Sequence, residues 1–371
     1  MNIFFAGNFP PPIHGVAIIN SLLYNGLKKR GLRIYRLITN TSNDFQDFSY
    51  QGSLSFRKFI ITSYQSIKGT LILCIKQPNV IYLVPGESFF GFLRFIPFIL
   101  IGKAFKKKVI LHFHGEVFLK NYISYSSFKK SIIAYSLRNA TKLIVLGQTY
   151  VEKFSKTFDN CESKLTICMN GISNEYLAND LIVKRKVNEI KDGHELKILF
   201  LSNLMESKGV LDLFDSIEYL NQSGLNYRID LCGAIEPEIS ELVNEKILKY
   251  SKYVTYHGTV NGLVKKKILE NSHVLCLPTY MPSEAQPVSI MEAMANGIAV
   301  VVTDVGGIRD IFDQNENGFF CYVKEPSSIA ESIIKCYNKY ESIAQNNYLK
   351  AIDKFEETKF IQRVNTIIIE S

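Results

Sequence analysis

Several protein classes leave marks that this chain lacks. Its seven cysteines (Cys74, Cys161, Cys168, Cys232, Cys276, Cys321 and Cys336) are scattered and form no CxxC pair. That excludes a zinc ribbon and reads as reduced thiols in a cytoplasmic protein, not as a disulfide framework. No G-x-G-x-x-G follows the first apolar run, so the dinucleotide fingerprint of a dehydrogenase is missing. Zinc-ligand spacings, an RNP motif and an aromatic platform are also missing, and a nucleic-acid partner is not expected. The most apolar stretch, FFGFLRFIPFILIGKAF (89–105), is broken by Arg94 and Pro97. Its uninterrupted part is far short of the roughly 20 residues that span a bilayer, so a buried or interfacial helix is expected there. The opening MNIFFAGNFPPP carries no basic n-region and no long apolar core; a signal peptide is not expected.

What remains is a globular composition, 47% hydrophobic and 21% charged over 371 residues, enough for two domains. The net charge of +8 conceals a division. Residues 1–180 hold 22 Lys and Arg against 9 Asp and Glu, and residues 181–371 hold 21 against 26. A basic half beside an acidic half favours two domains with different partners, the first suited to an anionic membrane or a phosphate-bearing substrate. The clusters KKR (28–30), KAFKKK (103–108) and KK (129–130), beside the Phe-rich 89–105, make that region the expected membrane-facing surface.

Short apolar runs alternate with helical patterns. Runs at 2–7, 79–84, 108–114, 142–147 and 164–169 read as buried strands, and Val16–Arg30, closed by Gly31, as a helix. The polar stretch 178–195 reads as a linker. A second set of runs follows at 196–202, 227–233, 253–258, 273–278 and 298–303. Alternation of this kind implies βαβ units and parallel sheets. The expected fold is therefore α/β, with two Rossmann-like domains whose sheets face a cleft: residues 1–180, residues 181–345, and a C-terminal helix, 346–371, returning to the first.

Charge is almost absent from one stretch. Between Asn271 and Thr303 only Glu284 and Glu292 are charged. Both lie in EAQPVSIMEAMANG, where Pro287 suits the start of a helix and Gly297 its end. Free N–H groups of the loop and first helical turn form an anion site, with Gln286, Pro287 and Val288 at its centre. A carboxylate on either side of a bound diphosphate suits the hydroxyl pairs of sugar rings.

This segment, with the following AMANGIAVVVTDVGG, closely resembles the donor-sugar signature of retaining GT-B glycosyltransferases of family GT4. The resemblance implies that Glu284 contacts the transferred hexose and Glu292 the ribose of a nucleotide. LSNLMESKGV (201–210) resembles the family's GRL-x3-KG segment: Lys208 matches the lysine that binds the diphosphate, while Asn203 stands where the family has an arginine. In FAGNFPPPIHGVAIIN (5–20) only Gly15 remains of the usual glycine pair. His114 in ILHFHGEV matches a histidine near the transferred sugar; His112 reads as a buried, hydrogen-bonded residue. Asn170 in MNGIS and Gly258 with Val260 in YHGTV match two further landmarks, the second cradling the nucleobase. The implied reaction is hexosyl transfer from a UDP- or GDP-sugar to a saccharide or lipid-linked acceptor of a surface polysaccharide, with retention and without a metal, consistent with the missing D-x-D. A GT-B-like nucleotide-sugar 2-epimerase and a non-catalytic nucleotide-sugar-binding protein are the alternatives; the E-x7-E spacing disfavours the first, and Asn203 keeps the second open.

Overall fold

The structure is a computed structural model and describes residues 1–12, 14–41 and 56–370. The chain divides into two compact units. The first takes residues 1–171 and 357–371, and the second residues 172–356. The expected division at 180/181 thus falls nine residues later than the observed one, and only the last helix of the tail joins the first unit.

In the first unit the order is β1 (Asn2–Gly7), α1 (Gly15–Lys29), β2 (Arg33–Ile38), α2 (Phe56–Lys76), β3 (Val80–Leu83), α3 (Phe89–Leu93), α4 (Ile96–Ala104) and β4 (Lys108–His112). Then come α5 (Val117–Ser124), α6 (Ser127–Arg138), β5 (Lys142–Val145), α7 (Gln148–Thr157) and β6 (Leu165–Ile167). The strands form one parallel sheet in the order β2-β1-β3-β4-β5-β6. β2 was not evident in the sequence, because RIYRLI is an edge strand with exposed arginines and mixed polarity. Central strands β3 and β4 are continuous apolar runs, as burial on both faces requires. The stretch 89–105 is two short helices, and Phe92, Phe95, Phe98 and Ile99 are buried. Phe90, Leu93, Leu100 and Phe105 of the same stretch are exposed, so its apolar side chains divide between core and surface.

The second unit opens with α8 (Asp180–Lys191). The expected linker is this helix. Asn179 caps it by accepting from the Ile182 N–H at 3.0 Å, and Val183, Lys186, Val187 and Ile190 form its buried stripe. Charge on the outer face hid that period. Lys186 is buried because its ammonium donates to the carbonyls of Leu269 (2.7 Å) and Asn296 (2.8 Å). There follow β7 (Leu196–Leu201), α9 (Val210–Gln222), β8 (Tyr227–Cys232), α10 (Ser240–Lys249), β9 (Val254–Tyr256), α11 (Gly262–Asn271) and β10 (Val274–Leu277). The unit closes with α12 (Val288–Met294), β11 (Ala299–Thr303), β12 (Gly318–Cys321), α13 (Pro326–Asn338) and α14 (Tyr340–Lys354), and α15 (Glu357–Glu370) belongs to the first unit.

The second sheet is parallel in the order β12-β11-β10-β7-β8-β9. Counted within the unit this is 6-5-4-1-2-3, the Rossmann order. The first sheet runs 2-1-3-4-5-6 and reverses one strand earlier, in the flavodoxin manner. In either order the crevice for a ligand opens where the strand order reverses, beyond the carboxyl ends of the two strands concerned. Those pairs are β1 and β3 in the first unit and β7 and β10 in the second.

Candidate functional site

The loop after β7 carries Lys208, and the loop after β10 carries Glu284. Topology alone thus places both at the reversal point of the second sheet. Their side chains meet: the Lys208 ammonium pairs with Glu284 Oε2. The pair is little exposed, with side chains 14% and 10% accessible.

Local geometry fixes both loops. Gly209 adopts φ +77°, and a side chain there would collide with the Pro278 carbonyl. Tyr280 N–H donates to Ser207 O at 2.9 Å, and the Thr279 hydroxyl lies 3.2 Å from both Ser207 O and Glu284 Oε2. On the other side, the Gly307 N–H donates to the Glu284 carbonyl at 2.9 Å. Gly306 has φ +57°, and a Cβ there would strike that same carbonyl. The VGG following β11 is therefore the seat of the Glu284 loop, and only glycine fits at 306.

Glu292 is 2% exposed within α12. Burial raises its carboxyl above the usual range, against the pull of the Lys265 ammonium, which sits 2.7 Å from Oε1. Lys265 also lies over the Tyr176 ring, 4.4 Å from its centre, and the Tyr176 hydroxyl accepts from the Gly262 N–H at 3.1 Å. Neither Lys265 nor Tyr176 was singled out by sequence. Lys265 opens the run KKK, which reads as surface charge, and only the fold shows that one of the three points inward.

The rest of the second-unit candidates surround these pairs. Gln286 is buried at 5% exposure. Pro287 is the N-cap residue of α12, one position earlier than expected, and Val288 is its first residue. In the first turn of that helix the Ile290 N–H donates to the Pro287 carbonyl at 3.1 Å, and the N–H groups before it precede any carbonyl of the helix. Gly258 takes φ +66° and its carbonyl accepts from the Gly233 N–H at 2.8 Å; Gly233 in turn presses on the backbone of Ser202 and Asn203. Asn203 and Val260 are half-buried.

In the first unit, His14 caps α1, with Nδ1 accepting from the Ala17 N–H at 3.4 Å, and Gly15 is the helix's first residue. His114 lies two residues past the end of β4. Burial holds its imidazole down to about 4; hydrogen bonding with the Asn170 side chain opposes this, and the charge of His14 adds to it. His114 and Asn170 thus meet, and His14, the neighbour of Gly15, acts on His114 through its charge. His112 is buried, and its Nδ1 sits 2.5 Å from the Tyr82 hydroxyl.

One residue here went unnoticed. Glu87 follows β3, at the reversal point of the first sheet, and its carboxylate lies where a side chain on Gly115 would be. Burial lifts its carboxyl to about 7. The signal was available: Glu87 is the only acidic residue between Asp47 and Glu116, as Glu284 and Glu292 are in their own stretch. Among the described residues no group of three or more His, Cys, Asp or Glu is placed to hold a metal.

Residues 183–353 match the family model for glycosyl transferases group 1. An uncharacterised glycosyltransferase of Methanocaldococcus jannaschii is 26% identical over 243 residues, which cover 62% of this chain and 61% of that protein. A capsular polysaccharide biosynthesis glycosyltransferase of Staphylococcus aureus is 25% identical over 302 residues, covering 77% of this chain and 69% of that one. The crystal structure of Anabaena HepE in complex with UDP superposes with a TM-score of 0.73 at 15% identity, with both chains fully covered; at that identity the likeness shows the shared GT-B fold. Residues 183–353 thus resemble the glycosyl transferases group 1 family, and the relatives that the chain matches are named glycosyltransferases.

Proposed function

We propose that the chain transfers a hexosyl group, with retention, from a UDP- or GDP-sugar to a saccharide or lipid-linked acceptor of a cell-surface polysaccharide or lipopolysaccharide. The reaction runs without a metal, on the cytoplasmic side and at the inner face of the membrane. The observation that carries this reading is the Lys208–Glu284 pair at the reversal point of the second sheet. A buried ion pair contributes little to stability compared with apolar residues of the same volume. Two charges held there by glycines and a threonine serve binding better than they serve folding.

The proposed donor lies along the ends of β7 and β10. Its diphosphate takes the Lys208 ammonium and the main-chain amides around Gln286–Val288, as a point charge and a helix start can. Glu284, released from Lys208, accepts hydroxyls of the hexose. Glu292, paired with the Lys265 ammonium, accepts the ribose hydroxyls. Gly258 and Val260 supply backbone to the nucleobase. Asn203 lacks the arginine fork, so more of the phosphate charge falls to Lys208. Gly15 and Asn170 are assigned to donor binding and His114 to the transferred sugar. In a front-face displacement the leaving diphosphate takes the acceptor proton, and the protein lowers the barrier by positioning and by stabilising charge on the leaving group. The named activity of the S. aureus relative supports the polysaccharide context, and the UDP in HepE supports a nucleotide donor.

The test is a thermal-shift panel of UDP-, GDP- and ADP-sugars, followed by turnover with and without lipid extract. A ligand at 100-fold its Kd stabilises the folded state by about 2.7 kcal/mol. One nucleotide-sugar class is expected to raise the melting temperature, and product is expected only with acceptor. Product without acceptor would instead establish an epimerase, and stabilisation without turnover a binding protein.

A further inference from the structure

The second helix of the first unit, α2, wears its apolar side outward. Phe56, Ile60, Tyr64, Ile67, Leu71 and Ile75 are 81, 52, 63, 61, 54 and 70% exposed. Their spacing, four-four-three-four-four, traces one stripe along the helix. At 1.5 Å per residue the stripe is about 30 Å long. The inner face is apolar as well: Leu73 is 2% exposed, and Gly69 lies so close to Phe98 and Leu37 that a methyl group would collide with both. A helix apolar on both sides belongs in an interior, and this one is covered on one side only. Isolated exposed leucines are ordinary; a continuous stripe of this length marks a contact surface.

The charge on the same helix selects the occupant. Phe56–Lys76 contains Arg57, Lys58, Lys68 and Lys76 and no Asp or Glu. A second copy of the chain, docked α2 against α2, would oppose those cations with four more and offer no carboxylate from the helix to pair them. An anionic lipid surface accepts both features at once: large apolar side chains enter the headgroup boundary while lysines and arginines stay among the phosphates. No described helix is long and apolar enough to cross a membrane, and a helix lying in the plane of the interface does not need to be.

We infer that α2 is the element with which this protein docks on an anionic membrane. The inference gives a place to the membrane contact proposed above and rests on that part of it; the donor chemistry is separate. The test is flotation of the full chain with phosphatidylcholine vesicles, with and without phosphatidylglycerol. The expected result is flotation that depends on phosphatidylglycerol. In Ile60→Glu/Ile67→Glu it falls by roughly a hundredfold, about tenfold per carboxylate brought into the interface. Both positions are exposed, so far-UV circular dichroism and stabilisation by nucleotide sugar are expected to match the parent. If the double variant does not fold, Ile67→Trp serves instead. The chain has no tryptophan, so that variant reports the stripe alone, and its emission is expected to shift to the blue with anionic vesicles. A parent protein that stays with the dense fraction, a double variant that floats like the parent, or an unshifted emission overturns the inference. A concentration-dependent dimer abolished by Ile67→Glu, without flotation, overturns it in favour of a second copy. Flotation without nucleotide-sugar stabilisation leaves α2 assigned and removes the donor reading; the reverse removes α2 alone.

Discussion

Glu284 and Lys208 each stand to lose more from the other's removal than from their joint replacement. Both side chains are nearly buried, and breaking a buried pair from one side strands a charge at a penalty of about 3–5 kcal/mol. Lys208→Met alone is therefore expected to lower the urea midpoint and abolish transfer. Lys208→Met/Glu284→Gln is expected to recover most of the midpoint and none of the transfer. Equal midpoints for the single and double variants would show that the pair is not coupled. Glu87 offers a different readout. Burial raises its carboxyl from the ordinary 4.5 to about 7, so the folded state holds a proton that the unfolded state releases. The associated stability is complete below about pH 4.5 and is lost as pH rises through 7, at up to about 1.4 kcal/mol per pH unit. Glu87→Gln keeps the shape and removes the titration. It is expected to raise the urea midpoint relative to the parent at pH 8 and to leave it nearly unchanged at pH 4.5. A difference that does not vary with pH would mean that the carboxyl titrates normally.

At the scale of elements, the chemistry lies in loops and the loops are held by glycines. Gly306→Ala puts a methyl group against the Glu284 carbonyl at a positive φ. Backbone must move, and Glu284 moves with it. The expected outcome is a loss of nucleotide-sugar stabilisation in the thermal-shift assay, with a fall of no more than about 3 kcal/mol in stability; retained donor stabilisation would sever the link between the two loops. This coupling also explains what could be read from sequence. Strands such as β3, β10 and β11 were legible because buried parallel strands are unbroken apolar runs. Glu284 and Glu292 were legible because a carboxylate in an apolar stretch needs a reason. α8 was not, because the charges on its outer face mask a four-residue stripe. Lys265 and Tyr176 were not, because which lysine of three turns inward depends on the register of α11 against its neighbours, a property of packing that no local pattern encodes. Exposure is likewise a tertiary property: α2 and the 89–105 stretch are both apolar and basic, and only the fold shows that the first exposes a continuous stripe while the second buries Phe92, Phe95, Phe98 and Ile99 and exposes Phe90, Leu93, Leu100 and Phe105.

At the scale of the whole molecule, the first unit is discontinuous in sequence. It consists of residues 1–171 and 357–371, and its last helix, α15, completes its core. Phe360, Ile361, Val364 and Ile368 are buried. Ile361 fills the space above Gly26 of α1 so closely that a side chain there would overlap it, and Phe360 does the same at Gly171. Arg363 donates to the Met169 carbonyl at 3.1 Å, and Lys108 to that of Ile369 at 2.9 Å. Burying those four side chains is worth roughly 6–12 kcal/mol at 1.5–3 kcal/mol each, as much as the entire stability of an ordinary domain, about 5–15 kcal/mol. Removal of residues 357–371 is therefore expected to unfold the first unit. The second unit is contiguous, holds both lysine–glutamate pairs and loses no core residue. Hydrogen exchange read by mass spectrometry separates the two. Peptides from β1, β3 and β4 are expected to lose protection in the truncated chain, while those from β7, β10 and α12 keep theirs and remain further protected by nucleotide sugar. Protection retained in β1 would show that α15 only decorates the first unit, and protection lost in β10 would show that the donor-binding half does not stand without it.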